Sequence, residues 1–396
     1  MKFFISIGCG LEQKYAIGIA KKLGFGIIGF DGNKDCECKS LVNEFYHIDI
    51  KNIKEIKNII DVKNNNEKIN IIGILPTPIG RYVSTLGILN EYYNFIGPNA
   101  FIAETCSNKR LVNKYLKEIN LNVPIQYSIN NLKNIIYPVI AKPIFGSGSR
   151  FVKVLNNEFE LLSFYNQYNE EDRFGELLIE EFIEGKEYSI EVLVQNNEIT
   201  FFHIIDKEIT PLPFRQEISY TSPINITNIE YKNIYETIKL FINNLNVENS
   251  IFHIDAIYSN KKTFVIDIAP RPGGVNIMSR IINYTYEFDF IEYWIRYMVE
   301  GIKLPELSIK NYVHSQYLNF ENCIVNKIPE IDPLVKDNNI IYEEIKLKNN
   351  MELGNIIDCN GISERGCYII RDSDLNKLKE RNIKIYNEFK KYIIVK

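Results

Sequence analysis

Two aspartates within an apolar hairpin could bind a divalent cation. The residue pattern predicts two strands, 251–258 and 263–270, which are joined by a polar turn. Asp255 lies in the first strand and Asp267 in the second. An odd number of residues in the connecting loop would place the two carboxylates opposite one another, where like charges repel. A bound Mg²⁺ would relieve that repulsion, and two unrelated acids at strand ends are the alternative.

A lysine that precedes a loop rich in glycine and serine could bind phosphate groups. Residues 137–154 predict a strand carrying Lys142, then the loop 145–149, then a second strand. Glycine and serine expose backbone N–H groups to phosphate oxygens, and the lysine adds a point charge. The loop does not continue into the Gly-Lys-Ser/Thr of a Walker A motif. A hairpin with a loose turn remains the alternative interpretation.

A short apolar strand that ends in acids could line an adenine site. Residues 177–194 predict a strand, a turn and a strand, with Glu180, Glu187 and Glu191 interleaved among apolar side chains. Backbone groups there could bind the base edge, and a carboxylate could accept hydrogen bonds from ribose hydroxyls. Surface acids around an ordinary turn would give the same pattern.

An α/β unit at the start of the chain comes before these segments. A strand, the turn Gly8-Cys9-Gly10, a helix and a second strand form the first unit of a doubly wound parallel sheet. The turn lacks the full GxGxxG pattern, so a small-ligand or structural turn is favoured over a dinucleotide site. We expect strands at 3–7, 26–30, 47–50 and 69–75, and helices at 11–23 and 52–62.

Composition indicates a globular protein without a nucleic-acid or membrane surface. The chain has 396 residues, of which 24% are charged and 45% hydrophobic, and its net charge is −4. The apolar start at 3–7 is too short for a secretory signal, and no run reaches the ~20 apolar residues of a membrane span. The seven cysteines show no CxxC spacing, which predicts free thiols and a cytoplasmic location.

Taken in order, these segments resemble the ATP-grasp superfamily, in particular its carboxylate–amine (amino-acid) ligases. The resemblance covers roughly residues 1–300. It implies an α/β fold with three lobes: an N-terminal doubly wound parallel-sheet lobe, a small central lid lobe and a C-terminal antiparallel-sheet lobe. The motifs are Lys109, Lys142 before the Gly/Ser loop, Glu180-Glu181-Phe182-Ile183 with Glu187, Asp255, and Asp267-x-Ala-x-Arg271-Pro-Gly-Gly. The implied domains are 1–98, 99–300 (with the lid at about 125–190) and the closing lobe 301–396.

The resemblance implies a role for each matching position. ATP and Mg²⁺, with Mn²⁺ as an alternative, would be bound, and Asp255 and Asp267 would hold the metal. His253 would help neutralise the transferring phosphate, with a packed core histidine as the alternative. The nucleotide would contact Lys109, Lys142, the lid residues Gly146, Ser147, Gly148 and Ser149, the adenine-site residues Glu180, Glu181, Phe182 and Ile183, and the ribose ligand Glu187. The substrates would contact Arg215, Glu217, Arg271, Gly273 and Gly274, with Arg271, Lys142 and His253 as the catalytic groups. A structural loop is the alternative interpretation of the segment that carries Arg215 and Glu217.

The metal ligands depart from the family pattern. The family has Glu and then Glu-x-Asn, whereas this chain has Asp255 and then Asp267-x-Ala269. Aspartate is one methylene shorter than glutamate, and Ala269 cannot act as a ligand at all. One metal would therefore be held more loosely or completed by water, and a catalytically degenerate ATP-binding protein is the sceptical alternative.

The activity implied by the resemblance is amide or peptide-type bond formation. A carboxylate would be activated as an acyl phosphate and then attacked by an amine, with release of ADP and phosphate. The partners would be small-molecule carboxylate and amine substrates, and a homodimer is the family-level expectation. A purine-pathway ligase or transformylase of the same superfamily is the alternative enzyme, and the lack of a biotin-carrier lysine motif disfavours a biotin-dependent carboxylase.

Overall fold

The fold consists of four β-sheets with helices packed against their faces. The computed structural model describes residues 1–65, 69–78, 80, 82–169, 174–274, 276–337 and 339–395. The strands are β1 Lys2–Ile7, β2 Gly26–Asp31, β3 Glu44–His47, β4 Asn70–Ile74, β5 Gln126–Tyr127, β6 Val139–Pro143, β7 Lys153–Leu155, β8 Leu177–Glu181, β9 Lys186–Gln195, β10 Glu198–Ile209, β11 Glu217–Ser222, β12 Ser250–Ser259, β13 Lys262–Ala269, β14 Tyr312–Tyr317, β15 Cys323–Val325, β16 Ile340–Ile345, β17 Met351–Leu353, β18 Gly366–Asp372 and β19 Ile393–Val395. The helices are α1 Lys14–Lys22, α2 Ile53–Asn65, α3 Tyr82–Tyr93, α4 Ala100–Ser107, α5 Lys109–Glu118, α6 Glu158–Asn169, α7 Asn228–Asn244, α8 Asn283–Tyr286, α9 Phe290–Glu300, α10 Ile331–Asp337, α11 Cys359–Ser363 and α12 Leu375–Lys390.

The N-terminal strands form a parallel sheet in the order β3-β2-β1-β4. Neighbouring residues of a strand point to opposite faces, so Phe4 packs in one core and Ile5 in the other. The core around Ile5 includes Ile56 of α2 and Leu86 of α3, while Phe4 shares its core with residues of α1 and α9. Both faces of the sheet are therefore covered by helices, which confirms the predicted doubly wound lobe.

A separate antiparallel sheet, in the order β5-β8-β6-β7, corresponds to the predicted lid lobe. Its own core contains Val139 and Ala141 of β6, Leu155 of β7 and Leu161 of α6. Strand β9, which the predicted lid range included up to residue 190, pairs instead with β10 and β12 of the largest sheet. The boundaries of the three domains stay predictions.

The largest sheet has eight strands in the order β13-β12-β9-β10-β11-β14-β18-β16, all of them antiparallel neighbours. Helix α7 packs on one face through Ile238 and Phe241, and α9 packs on the other through Trp294. The last three of these strands in spatial order come from the C-terminal segment, so that segment extends the sheet. Strands β17, β15 and β19 form a small sheet of their own. Side chains of β15 and β17 share a hydrophobic core with side chains of α12.

The cysteines and the helices bear on the expected environment of the chain. None of the seven cysteines, all of them within the described ranges, forms a disulfide, as predicted, and Cys359 is the one among them that is not buried. No helix in the described ranges has both the length and the apolar character needed to cross a membrane.

Candidate functional site

Asp255 and Asp267 lie directly opposite one another on β12 and β13. The connecting turn has only two central residues, Asn260 and Lys261, with φ angles of 49° and 61°, the positive values of a tight hairpin turn. An uninterrupted ladder from that turn would pair Asp255 with Ile266. A β-bulge next to Asp255 adds the extra residue and places Asp267 opposite instead.

A buried lysine that the sequence analysis missed is at the centre of this carboxylate group. Nζ of Lys207, on β10, lies 2.8 Å from Oδ1 of Asp255, 3.4 Å from Oε2 of Glu187 and 3.7 Å from Oε1 of Glu217. Burial alone would lower the pKa of Lys207, but the three carboxylates raise it well above its ordinary value. Burial would raise the pKa of Asp255, yet the attraction of Lys207 lowers it to about 2. The lysine therefore stays protonated and holds the acids together.

A second network links His253 to the loop that follows β13. Nδ1 of His253 lies 2.6 Å from Oε1 of Glu191, a fully buried carboxylate, and the backbone N–H of Gly273 donates to the other oxygen of Glu191 at 3.2 Å. Burial would lower the pKa of His253, but the carboxylates of Asp255 and Glu191 raise it. Glu191 thus holds both the imidazole of His253 and the backbone of Gly273 in position.

We expect Gly273→Ala to destabilise the protein by about 1 to 3 kcal/mol, the usual cost of overpacking. A Cβ at Gly273 would lie 2.3 Å from Oε1 of Glu191 and 2.9 Å from Nδ1 of His253, so that network must shift. Gly274→Ala is the matched control, because its Cβ would meet nothing closer than Oε2 of Glu12 at 3.5 Å. Thermal unfolding of both variants measures the difference. Equal melting temperatures would contradict the role assigned to Glu191.

The two predicted phosphate ligands both contact β13. Nζ of Lys109, at the start of α5, is 3.1 Å from Oδ1 of Asp267 and donates to the carbonyl of Gly146 at 3.4 Å. Nζ of Lys142, on β6, is 2.7 Å from Oε2 of Glu180 and donates to the carbonyl of Ile266, the bulge residue, at 3.3 Å. Two ammonium groups therefore face the same region from two elements.

The predicted adenine and ribose ligands are both paired with protein groups. Oε1 of Glu180 accepts hydrogen bonds from Asn113 at 3.0 Å and Gln126 at 3.1 Å, in addition to its ion pair with Lys142. Glu187 forms ion pairs with Arg215 and Lys207. Arg215, predicted as a substrate contact, therefore lies beside the proposed ribose ligand.

A single cavity of about 570 Å³ joins these groups, a volume typical of small-molecule sites. Gly273 lines a neighbouring cavity of about 50 Å³, together with Arg271 and Gly274. Residues that sequence reasoning missed also line the main cavity, among them Glu12, Lys207, Tyr220 and Cys359. The predicted residues that line it are Lys109, Lys142, Gly146, Ser147, Gly148, Ser149, Glu180, Glu181, Phe182, Ile183, Glu187, Arg215, Glu217, His253, Asp255, Asp267, Arg271 and Gly274.

Comparison with known families identifies the segment that carries most of this cavity. Residues 106–275 match the model of the ATP-grasp domain family. A curated relative, the formate-dependent phosphoribosylglycinamide formyltransferase of Prochlorococcus marinus, is 22% identical over 77% of this chain and 78% of its own length.

Solved structures share the fold over the whole chain. The L-amino acid ligase from Bacillus licheniformis superposes with a TM-score of 0.82 at 15% identity, covering 100% of this chain and 98% of that one. Phosphoribosylglycinamide synthetase from Anaerococcus prevotii superposes with a TM-score of 0.69 at 20% identity, covering 100% of this chain and 99% of that one. At such identities the likeness concerns the fold, and it confirms the predicted three-lobed architecture.

Proposed function

We propose that this chain, in which residues 106–275 are an ATP-grasp domain, is an ATP-dependent ligase that joins a carboxylate to an amine. One observation carries the proposal: a single cavity is lined by Lys109 and Lys142, a glycine- and serine-rich loop and a pair of opposed aspartates. Phosphoryl transfer depends mainly on positioning and on neutralising charge, and these residue types supply both.

Nucleotide binding is assigned to the half of the cavity next to the lid sheet. Lys109 and Lys142 would hold the ATP phosphates, and the loop 145–149 would cover them. Glu180 and the backbone of residues 181–183 would hold the adenine. Glu187 would accept hydrogen bonds from the ribose hydroxyls. Its ion pair with Arg215 would then have to open, or the carboxylate would have to bind both groups.

The opposed aspartates fit a magnesium ion that arrives with the nucleotide. Mg²⁺ is usually bound through one or two carboxylates, with substrate phosphates and water completing its ligands. Within the described ranges no group of three or more histidines, cysteines or acids is placed to bind a metal ion. Asp255 and Asp267 would hold Mg²⁺ or Mn²⁺, and the ion would supply charge neutralisation at the β- and γ-phosphates.

Arg271 would bind the carboxylate substrate or the acyl phosphate made from it. Its Nε is buried without a hydrogen-bond partner, while one terminal nitrogen donates to the carbonyl of Pro272 at 2.6 Å. Burial lowers the pKa of Arg271, and the nearby carboxylates, Glu12 first among them, offset that effect only in part, so compensation for the buried charge is incomplete. A planar carboxylate or phosphate would provide that compensation.

The remaining cavity wall carries charges of both signs. Among the described residues beyond the aspartates and the proposed nucleotide ligands, Glu12 and Glu217 provide negative charge, and the positive charges are Arg150, Lys207, Arg215 and Arg271. Lys207 already pairs with Glu217, whereas Glu12 could pair with the ammonium group of an amine substrate. A purine-pathway transformylase is the second candidate, because a relative is named a formate-dependent phosphoribosylglycinamide formyltransferase. The cytoplasmic location and the homodimer stay predictions, which cell fractionation and light scattering would test.

The experiment that tests this proposal measures ADP release from MgATP in the presence of pooled amino acids and small carboxylates. We expect one pool to stimulate ADP release and the Asp267→Asn variant to lose that stimulation. Stimulation only by formate together with phosphoribosylglycinamide would favour the second candidate. Calorimetric binding of ATP without turnover in any pool would indicate a degenerate binding protein, and absence of ATP binding would overturn the proposal.

A further inference from the structure

The lid loop is hydrogen-bonded to the C-terminal segment at the start of α11. The backbone N–H of Cys359 donates to the carbonyl of Gly148 at 2.9 Å, and the Arg150 side chain donates to Oδ1 of Asn360 at 3.3 Å. The contact is close, because a Cβ at Gly148 would lie 2.5 Å from Sγ of Cys359. We call these four residues the lid clasp.

Both partners of the lid clasp are held in place by other contacts. Oγ of Ser149 donates to the carbonyl of Arg215 at 2.8 Å, which anchors the loop from its other flank. The carboxylate of Asp358 accepts from the N–H groups of Asn360 at 2.9 Å and Gly361 at 3.3 Å, which fixes the first turn of α11. The loop is therefore bonded on each side to a segment outside its own sheet.

The four residues of the lid clasp all line the main cavity. Gly148 of the loop 145–149 and Arg150, which follows the loop, come from one side, and Cys359 and Asn360 come from the C-terminal segment. The C-terminal segment is thus part of the cavity wall, although it lies outside the residues that match the ATP-grasp domain model.

We propose that Cys359 and Asn360 are positioning residues that hold the lid loop closed over the nucleotide. The proposal rests on the proposed function, since the loop is taken to cover ATP phosphates. A closed loop retains the nucleotide and keeps water from an acyl phosphate, which would otherwise be hydrolysed. The C-terminal segment would therefore couple ATP use to ligation.

The test uses Asn360→Ala, which removes the acceptor for Arg150, with Asn376→Ala as the matched control. Asn376 is exposed in the first turn of α12, in the same C-terminal segment. Two quantities are measured: the affinity for the magnesium complex of the β,γ-imido analogue of ATP, and the alkylation rate of Cys359 by iodoacetamide, followed by peptide mass mapping. The other six cysteines are buried, so their labelling reports loss of fold.

In the wild type and in Asn376→Ala we expect slow labelling of Cys359, slowed further by the analogue. In Asn360→Ala, labelling should be about fivefold faster and analogue binding about fivefold weaker, the effect of losing one hydrogen bond. Gly148→Ala, which forces a methyl group against Cys359, should act in the same direction and serves if Asn360→Ala does not fold.

Two outcomes separate this proposal from the proposed function. If the three proteins are labelled at the same rate and bind the analogue equally well, the lid clasp is wrong and the proposed function stands. If the wild type does not bind the analogue, the proposed function fails. The labelling rates without nucleotide then still decide whether Asn360 holds the loop against Cys359.

Discussion

Replacing Lys207 with methionine is expected to lower the free energy of unfolding by about 3 to 5 kcal/mol. The side chain of Lys207 is only 2% exposed, and its ammonium lies within 4 Å of Asp255, Glu187 and Glu217. Methionine preserves the length of the side chain but leaves three carboxylates close together without a shared cation. Denaturation by urea, followed by circular dichroism, measures the loss.

Lys186→Met is the control for this prediction, because Lys186 also carries an ion pair but is 44% exposed. Exposed pairs contribute at most about 1 kcal/mol, so this variant should stay close to the wild type. A loss below about 1 kcal/mol for Lys207→Met as well would show that the carboxylates do not depend on Lys207.

The deficit of Lys207→Met should shrink as the pH falls from 7 towards 5. Burial already raises the pKa of Glu217 in the wild type, and Lys207 is the group that counteracts this effect. Without Lys207 the pKa of Glu217 in the folded state rises further above its unfolded value. The folded state then takes up a proton first, and acidification relieves the repulsion. The double variant Lys207→Met/Glu217→Gln should recover part of the stability at pH 7 for the same reason.

The elements of the fold could be predicted from the sequence because local patterns determine most of them. The first strand and the two strands that carry Asp255 and Asp267 appear within about one residue of the expected positions. The third strand was expected at 47–50 but lies at Glu44–His47. Ile48 and Ile50 are buried, as their apolar character suggests. The residues that pair with β2, however, are the preceding ones, 44–47.

Cavity residues that belong to sequence motifs could be predicted. Residues that reach the cavity only through tertiary contacts could not be predicted as easily. Lys207 was not predicted as a site residue, because an isolated lysine in a strand usually lies on the face exposed to solvent. Its spacing held a signal, since it lies two residues after Ile205 and four after His203, both buried on the same face of β10. The opposition of Asp255 and Asp267 depends on a β-bulge, and no local pattern in the sequence reveals that bulge.

Asp267→Asn is expected to reduce ADP release by about a thousandfold, since a bound metal ion contributes several kcal/mol to charge stabilisation. Asparagine keeps the size of the side chain but removes the charge that faces Lys109 and Asp255. The Mg²⁺ concentration that gives half-maximal ADP release should rise as well. Steady-state ADP release at a series of Mg²⁺ concentrations measures both effects.

Asp267 is a sharper probe of the metal site than Asp255, whose Oδ1 also accepts from Ser189 at 2.7 Å and Lys207 at 2.8 Å. A change at Asp255 would therefore combine lost metal affinity with lost stability. Asp35→Asn, the same exchange at an exposed residue of the N-terminal lobe, controls for the chemical change alone. Because Ala269 offers no ligand, Asp255 cannot be assisted from that position when Asp267 is neutralised. An unchanged rate and an unchanged Mg²⁺ dependence would therefore remove the hairpin from the catalytic site.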